Sequence, residues 1–599
     1  MTRYTFDIET NGLLDDVSEL HCVVAEDLDS GEVLIGTSRD KAGMDKIIRK
    51  LENADLIIAH NGIGYDVPAL DILVGFEPKG YVFDTLIAAR LIWADIKGHD
   101  FQRNKKGNYP ARLIGSHSLE AYGYRLGELK GDFGKQENAW EVLTDDMITY
   151  CVQDVKVLTK LYNYILSKKY SKQALDIEMK FATIIEAQIR HGVKFDEDLA
   201  IQTMLEIRSK MDEIGAKLQE AFPPRYVSPD QGKVNTSKVN NKKLGKTKGC
   251  QFCKIKLETF NPGSRLQIGQ RLIDKYNWSP DVFTETGIPK VDETILASLK
   301  YPEAQLISEY MTLAKRIGQI SDGRQGWLKA VKNGRIHGRV NTLGAVSGRC
   351  THSSPNLAQV PAVRAAYGRE CRRMFTAPPG YVIVGCDASG LELRGFAHYL
   401  SPWDGGAYAK KVLEEDIHSF NQHAAGLPTR DMAKTMIYGL LYGAGDQKLG
   451  TIVDGGIKEG KKIRSKFMAM LPAYKKLAET IKTRMNNTDK KKHVLKGIDG
   501  RILKPRSEHS ALNLLIQSSG AVIMKVALIE CDRMAREAGL DYHFVLNIHD
   551  EWQAEVKEEH AKQFATISEQ AIRNAGDILK FKCPLDGEAK IGKTWEDTH

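Results

Sequence analysis

A chain of 599 residues is too long for one hydrophobic core, and ordinary domain sizes predict about three or four domains. Hydrophobic content of 42% and charged content of 27% are ordinary globular values, and 85 Lys plus Arg against 77 Asp plus Glu leave a net charge of +8, compatible with nucleic acid without demanding it. Nine scattered cysteines exclude the disulfide framework of short secreted chains and read as reduced thiols of a cytosolic protein, and the absence of 18 consecutive apolar residues predicts neither a membrane span nor a signal peptide.

Residues 4 to 9, YTFDIE, alternate strictly, which puts Tyr4, Phe6 and Ile8 on a core face and Thr5, Asp7 and Glu9 on the other. Two carboxylates on one strand face are costly without a cation, although an exposed acidic edge strand has the same pattern. A second apolar run ends in a Gly-rich turn and then Asp66, which opens the helical segment DVPALDILV. In ITYCVQDVKVL, Tyr150 and Asp154 are four apart and share a helix face. Four acids and a tyrosine on two strands and two helices match the wiring of a two-metal hydrolytic site.

From 172 to 220 the pattern is helical until Pro223-Pro224 stop it. Residues 225 to 259 carry nine basic side chains against Asp230 and Glu258, so a flexible or partly ordered loop is expected. Its lysines either follow a phosphate backbone or are simply solvated. Cys250 and Cys253 form the one C-x-x-C pair, with zinc as the lesser alternative because no second pair follows. LISEYMTLAKRIGQI predicts a long helix, and the following stretch to Pro361 reads as a loop whose Arg349, His352, Asn356 and Gln359 offer donors and acceptors to nucleic acid.

YVIVGCDASGLELR gives a buried strand ending at Asp387, with Glu392 and Arg394 on the next helix; Asp387 alone could be a helix cap. In RDMAKTMIYGLLYG, Arg430, Lys434, Tyr438 and Tyr442 recur every fourth residue along one helix face, close after His418. Such a stripe is either a solvated face or a phosphate grip, and the acids at Asp387 and at Asp550-Glu551 favour the grip. Asn513 and Gln517 open a long helix, and FVLNIHDEWQAEV predicts a hairpin with His549, Asp550 and Glu551 at its turn.

The order of VGCDASGLELR, RDMAKTMIYGLLYG and NIHDE, supported by SGRCTHSSPNLAQVP and LNLLIQSSG, resembles the family A DNA polymerases, in particular the replicative branch of short-tailed phages of the T-seven type. Upstream, Asp7-x-Glu9, Asp66 and Tyr150-x-x-x-Asp154 resemble the tyrosine subtype of the DEDD exonucleases. The resemblance implies an α/β multidomain chain: a ribonuclease H-like exonuclease domain at 1–170 and a right-hand polymerase with thumb at 171–335, palm at 336–410 and 531–599, and fingers at 411–530. It implies template-directed primer extension with 3′–5′ proofreading. Asp387, Ala388 and Asp550 would bind two Mg²⁺, with Mn²⁺ as an alternative and Glu551 in support, and Asp7, Glu9, Asp66 and Asp154 a second pair. Tyr150 would orient the attacking water. Arg430, Lys434 and His418 would meet the triphosphate, Tyr438 the incoming base and sugar, Glu392 the ribose edge and Tyr442 the template position. Arg349, His352, Asn356, Gln359, Asn513, Gln517 and His549 would touch DNA.

Implied partners are primer-template DNA, deoxynucleoside triphosphates, a helicase-primase and a single-strand binding protein, in a host cytoplasm. Two departures from the family pattern are expected. No 5′ nuclease domain precedes the exonuclease set, and the thumb insertion that binds thioredoxin in phage relatives is shortened to the basic loop, which puts thioredoxin in doubt. A non-catalytic scaffold would lack a carboxylate or a phosphate-binding cation, and a lone exonuclease would leave the second half without a task.

Overall fold

The computed structural model describes residues 1–131, 133–135, 138–230, 232–487, 489 and 493–599. The chain packs as two compact units, the first made of Met1–Val193, Gly338–Ser353 and Ala377–His599, the second of Lys194–His337 and Ser354–Thr376. Helix Lys172–His191, which the sequence groups with the thumb, lies in the first unit against Glu508–Glu537 and Tyr542–Ile548.

The first unit opens with a five-stranded sheet of β1 (Arg3–Thr10), β2 (Leu20–Asp27), β3 (Val33–Thr37), β4 (Leu56–Ala59) and β5 (Tyr81–Asp84), in the order β3-β2-β1-β4-β5. β1 pairs antiparallel with β2 and parallel with β4, so the sheet is mixed. Tyr4, Phe6 and Ile8 bury against Met44, Ile47 and Leu51, as alternation predicts. The opposite face is covered as well: Thr5 is fully buried and Glu9 nearly so. Helix Asp145–Ser167 lies across it, with Thr159 hydroxyl 2.7 Å from that of Thr5. Thr144 caps that helix on the Met147 N–H, and Asp145 and Asp146 in its first turn suit the positive end of the dipole.

A second sheet in the same unit is antiparallel throughout, in the order Tyr542–Ile548, Glu551–Lys557, Tyr381–Ala388, Gly587–Gly592. Val384, Cys386, Trp552 and Ala554 pack beneath Phe564 and Ile572 of helix Ala561–Ile578 and beneath Glu508–Glu537. Among the described residues, Glu508–Glu537 is the one helix long and apolar enough to cross a membrane, and 83% of its most apolar window is buried inside the protein. Its composition follows from being surrounded by core. Seven helices between Leu391 and Met485 share another core around Met436, Ile437, Phe467 and Tyr474.

In the second unit, helix Glu197–Ala221, capped by Asp196, packs along Pro302–Ile317. Residues 225–258 differ from the expected loop: Arg225–Val227 pairs with Lys256–Glu258, and Val234–Thr236 with Gln251–Cys253. Three-residue strands are too short to leave a periodic trace in sequence, and the lysines around them stay solvated. Lys246 Nζ sits 3.2 Å over the Phe252 ring, while Tyr226 remains 76% exposed.

Phe564 is fully buried between the second sheet and its covering helices. Phe564→Ala is expected to cost about 3–5 kcal/mol, read as a lower thermal midpoint in calorimetry; an unchanged midpoint would mean this core is not what holds the sheet.

Candidate functional site

The two polymerase-motif acids are joined by strand register. Asp387, at the end of Tyr381–Ala388, pairs with Glu551 on one side and Glu588 on the other. The Ala388 N–H donates to the Asp550 carbonyl at 3.0 Å, so the hairpin turn lies beside the strand end. Ala388 itself carries a buried methyl, which leaves only its backbone carbonyl as a ligand. His549 takes φ 56° at the turn. Glu551 faces inward: Trp595 Nε1 donates to its Oε1 at 3.2 Å, and His599 Nε2 lies 3.2 Å from Oε2. Solvent reaches the Asp387 carboxylate, yet the surrounding protein, then repulsion from Asp550, Glu551 and Glu588, push it up to about 7.

The helix Arg430–Leu441 buries Ala433, Met436, Ile437, Leu440 and Leu441, which leaves Arg430, Lys434 and the C-cap Tyr442 exposed while Tyr438 is half-buried against the core. Arg430 forms a bidentate pair with Asp416 at 2.6 and 3.1 Å. Asp416, missed in the sequence, also caps the helix Ile417–Ala425 that carries His418. Partial burial and the charges of Arg430 and Lys434 hold His418 below its ordinary value. Tyr438 and His418 rings lie 6.2 Å apart. Tyr442 donates to Glu392, which also lies 3.6 Å from Arg349. Burial, then the Glu392 and Asp550 carboxylates, raise Tyr438, which places the tyrosines in the field of the acids.

The segment expected to touch DNA is divided. Arg349 and His352 belong to the first unit, where Arg339–Asn341 pairs with Thr351–Ser353 as a hairpin instead of a loop. Asn356 and Gln359 belong to the second. Burial, reinforced by His549, lowers His352 to about 4, so its ring is neutral. Asn513 and Gln517 are half-buried, four residues apart on Glu508–Glu537.

At the first sheet, Asp7 and Glu9 of β1 meet Asp66, the first residue of its helix, and Asp154. Burial raises all four, and Asp7 further raises Glu9, Asp66 and Asp154. Ligand atoms of Asp7, Glu9 and Cys151 lie within 4.8 Å of one another. Lys130 pairs with Asp154 and sits 4.5 Å over the Tyr150 ring; burial opposes its charge, but Asp154, Tyr150 and Asp7 keep it raised. Lys130 and Cys151 carried no motif of their own. Beside the acids opens a cavity of about 810 Å³, lined also by His60, Arg90, His117 and Leu343–Val346.

Both acid groups fit divalent cations. At the first sheet Lys130 acts on Asp7, Glu9 and Asp154, with Asp66 adding a further carboxylate, and Asp154 Oδ1 is buried with no hydrogen-bond partner. At the second, three carboxylates push Asp387 toward its neutral form. The carboxylate oxygens that dominate both groups suit a hard ion.

A mixed-sheet acid site and an antiparallel sheet bearing paired acids beside a basic helix define a nucleotidyl-transferring polymerase with a second acidic centre. The family model for DNA polymerase family A matches residues 234–597, and the chain belongs to that family as a DNA-directed DNA polymerase. It is 35% identical to the DNA-directed DNA polymerase of Enterobacteria phage T3 and 36% to that of Escherichia phage T7, in each case over 99% of both chains. The structure is similar to the POL domain of Pol1 from M. smegmatis, solved with a DNA primer-template and dNTP, at TM-score 0.75 and 20% identity, covering 99% of this chain and 96% of that one.

Burial, then repulsion from Asp550, Glu551 and Glu588, disfavours ionised Asp387, so the folded form holds its proton up to about pH 7 and loses stability as pH rises from the ordinary carboxylate range to there. Asp387→Asn is expected to melt higher than the parent in chelator at pH 8, with the gap shrinking toward pH 5. A gap independent of pH in differential scanning fluorimetry would rule out this repulsion.

Proposed function

We propose that the chain extends a primer 3′ end with deoxynucleotides at Asp387 and Asp550, and excises misplaced ends at Asp7, Glu9, Asp66 and Asp154. The observation that carries the first assignment is the pairing of Asp387 with Glu551 and of Ala388 with Asp550 across adjacent strands. Divalent ions, Mg²⁺ or Mn²⁺, held by Asp387, Asp550 and the Ala388 carbonyl would lower the pKa of the primer hydroxyl and offset the charge on the leaving pyrophosphate. Glu551, fixed by Trp595 and His599, supports the hairpin from behind.

Lys434, His418 and Arg430 neutralise phosphate charge as the bond to pyrophosphate breaks, the transition-state electrostatics that dominates in such sites. Asp416 holds the Arg430 guanidinium in place until a triphosphate competes for it. Tyr438 stacks on the incoming nucleotide, Tyr442 covers the template base, and Glu392, tied to Tyr442 and Arg349, presents a wall to a ribose 2′-hydroxyl. Arg349, Gln517, Asn513 and His549 inspect minor-groove acceptors, which read base-pair shape rather than sequence. His352, Asn356 and Gln359 complete the duplex contacts.

In the excising site Asp7, Glu9, Asp66 and Asp154 would hold the divalent ions and Tyr150 would orient water. Substrates are primer-template DNA and deoxynucleoside triphosphates in a host cytoplasm, with a helicase-primase and a single-strand binding protein as replication partners. The lysine-rich β module at 225–258 grips the duplex backbone directly, in place of a thioredoxin-bound insertion.

Two experiments test this. Asp387→Ala should abolish primer extension and spare single-strand degradation, while Asp7→Ala with Glu9→Ala should do the reverse; loss of both activities in either variant, with circular dichroism intact, would contradict two separate centres. Neutralising Lys242, Lys243, Lys246 and Lys248 should reduce the slope of log affinity for DNA against log salt by about 0.9 per lost phosphate contact. An unaltered slope would leave the module without a grip on DNA.

A further inference from the structure

The hairpin Arg339–Ser353 has two functional sides. Asn341 and Leu343–Val346 line the 810 Å³ cavity that also exposes Asp7, Asp154 and Lys130. Arg349 and Cys350 line a small void of about 20 Å³ with Asn547 and His549, next to the acid hairpin of the second sheet. The hairpin tip is closed on itself, Ala345 N–H to the Arg349 carbonyl at 3.2 Å and Gly348 N–H to the Ala345 carbonyl at 2.9 Å, so its two sides move as one piece.

A buried ionic cluster supports the tip. Lys525 Nζ donates to both Glu178 carboxylate oxygens and to the Thr342 carbonyl, each at 2.8 Å. Arg501 binds Glu178 at 2.7 Å and Asp499 at 2.9 and 3.1 Å. These side chains are between 0% and 3% exposed. The Arg501 Nη1 is buried without a hydrogen-bond partner, and it lies where a Cβ on Gly348, at φ 81°, would clash with it. Thr342 and Gly348, the two ends of the tip, thus rest on the same four charges. Two acids and two bases balance in this cluster, and buried pairs of this kind fix geometry more than they add stability.

We propose that Glu178, Arg501 and Lys525 are positioning residues that set, through the hairpin Arg339–Ser353, how the primer terminus divides between the polymerising and the excising centre. The inference rests on the two-centre reading above. While the cluster holds Thr342 and Gly348, Arg349 is aimed at the duplex near Glu392, and the matched terminus stays at Asp387. Loosening the cluster frees the Arg349 side, and the terminus frays toward the cavity beside Asp7.

The test places 2-aminopurine at the primer 3′ end of a matched duplex and reads by fluorescence the fraction of termini in the excising centre. Lys525→Met and Glu178→Gln should raise that fraction about five-fold, the size of an ordinary coupling change along a packed network, with single-strand degradation and incorporation at saturating nucleotide within about two-fold of the parent. Gly348→Ala approaches the cluster from the hairpin side and should shift the fraction the same way, which keeps the inference testable if the buried variants fail to fold. An unchanged fraction in Gly348→Ala, or an equal fall in both activities at constant fraction, overturns it. If the parent protein leaves single strands intact, the excising centre itself is refuted, and the partition with it.

Discussion

Carboxylates that repel one another must be held together by something else, and both acidic centres of this protein depend on how that is done. At Asp387 the work is done by backbone pairing: the strand bearing it lies between Glu551–Lys557 and Gly587–Gly592, and seven paired positions on one side and six on the other leave its end no freedom to retreat. At Asp7 it is done by covering. Helix Asp145–Ser167 closes the second face of β1, so Asp154 is brought over Asp7 and Glu9 by the packing of Thr159 on Thr5 and Cys151 on the Asp7 backbone. Hydrophobic burial on the far sides of both sheets supplies the free energy that keeps like charges adjacent.

The two centres consequently differ in what neutralises them. Lys130 already pairs with Asp154 and lies in reach of Asp7 and Tyr150, so the first centre has a built-in cation that an incoming phosphate or metal must share. Asp387 is raised by burial first and then by the acids Asp550, Glu551 and Glu588, with Lys590 opposing them. On the helix Arg430–Leu441, Arg430 is occupied by Asp416.

Much of this was legible in the amino acids because local periodicity and motif acids coincide. The alternation in YTFDIE marked the core face of β1, the four-residue spacing marked the stripe of Arg430, Lys434 and Tyr438, and Asp387 fell at a strand end and Asp550 in the hairpin turn as expected. Alternation could not tell that the second face of β1 is covered, since that depends on a helix more than a hundred residues away. The pairing of Arg430 with Asp416 was not anticipated, because Asp416 lies fourteen residues upstream, across a helix and a turn. The stretch after Arg335 read as a loop because the paired strands of its hairpin are only three residues long. Lys130 and Cys151 carry no spacing signal, and only their position against Tyr150 and Asp7 gives them meaning.

The hairpin Arg339–Ser353 belongs to the first unit although stretches of the second precede and follow it in the chain. A surface strip that serves two chemical centres has to keep one register with respect to both, and a strip hung on apolar packing alone could slide by a rotamer without large cost. Directional bonds from Lys525 to a backbone carbonyl, and from Arg501 to two carboxylates, admit far fewer arrangements. Neutrality within the cluster makes that rigidity tolerable in the interior, because no member is left as an isolated buried charge. Replacing the cluster by hydrocarbon of equal volume could preserve the fold and still lose the register, so the ionic solution is accounted for by the need to aim Arg349 and Val346 at the same time.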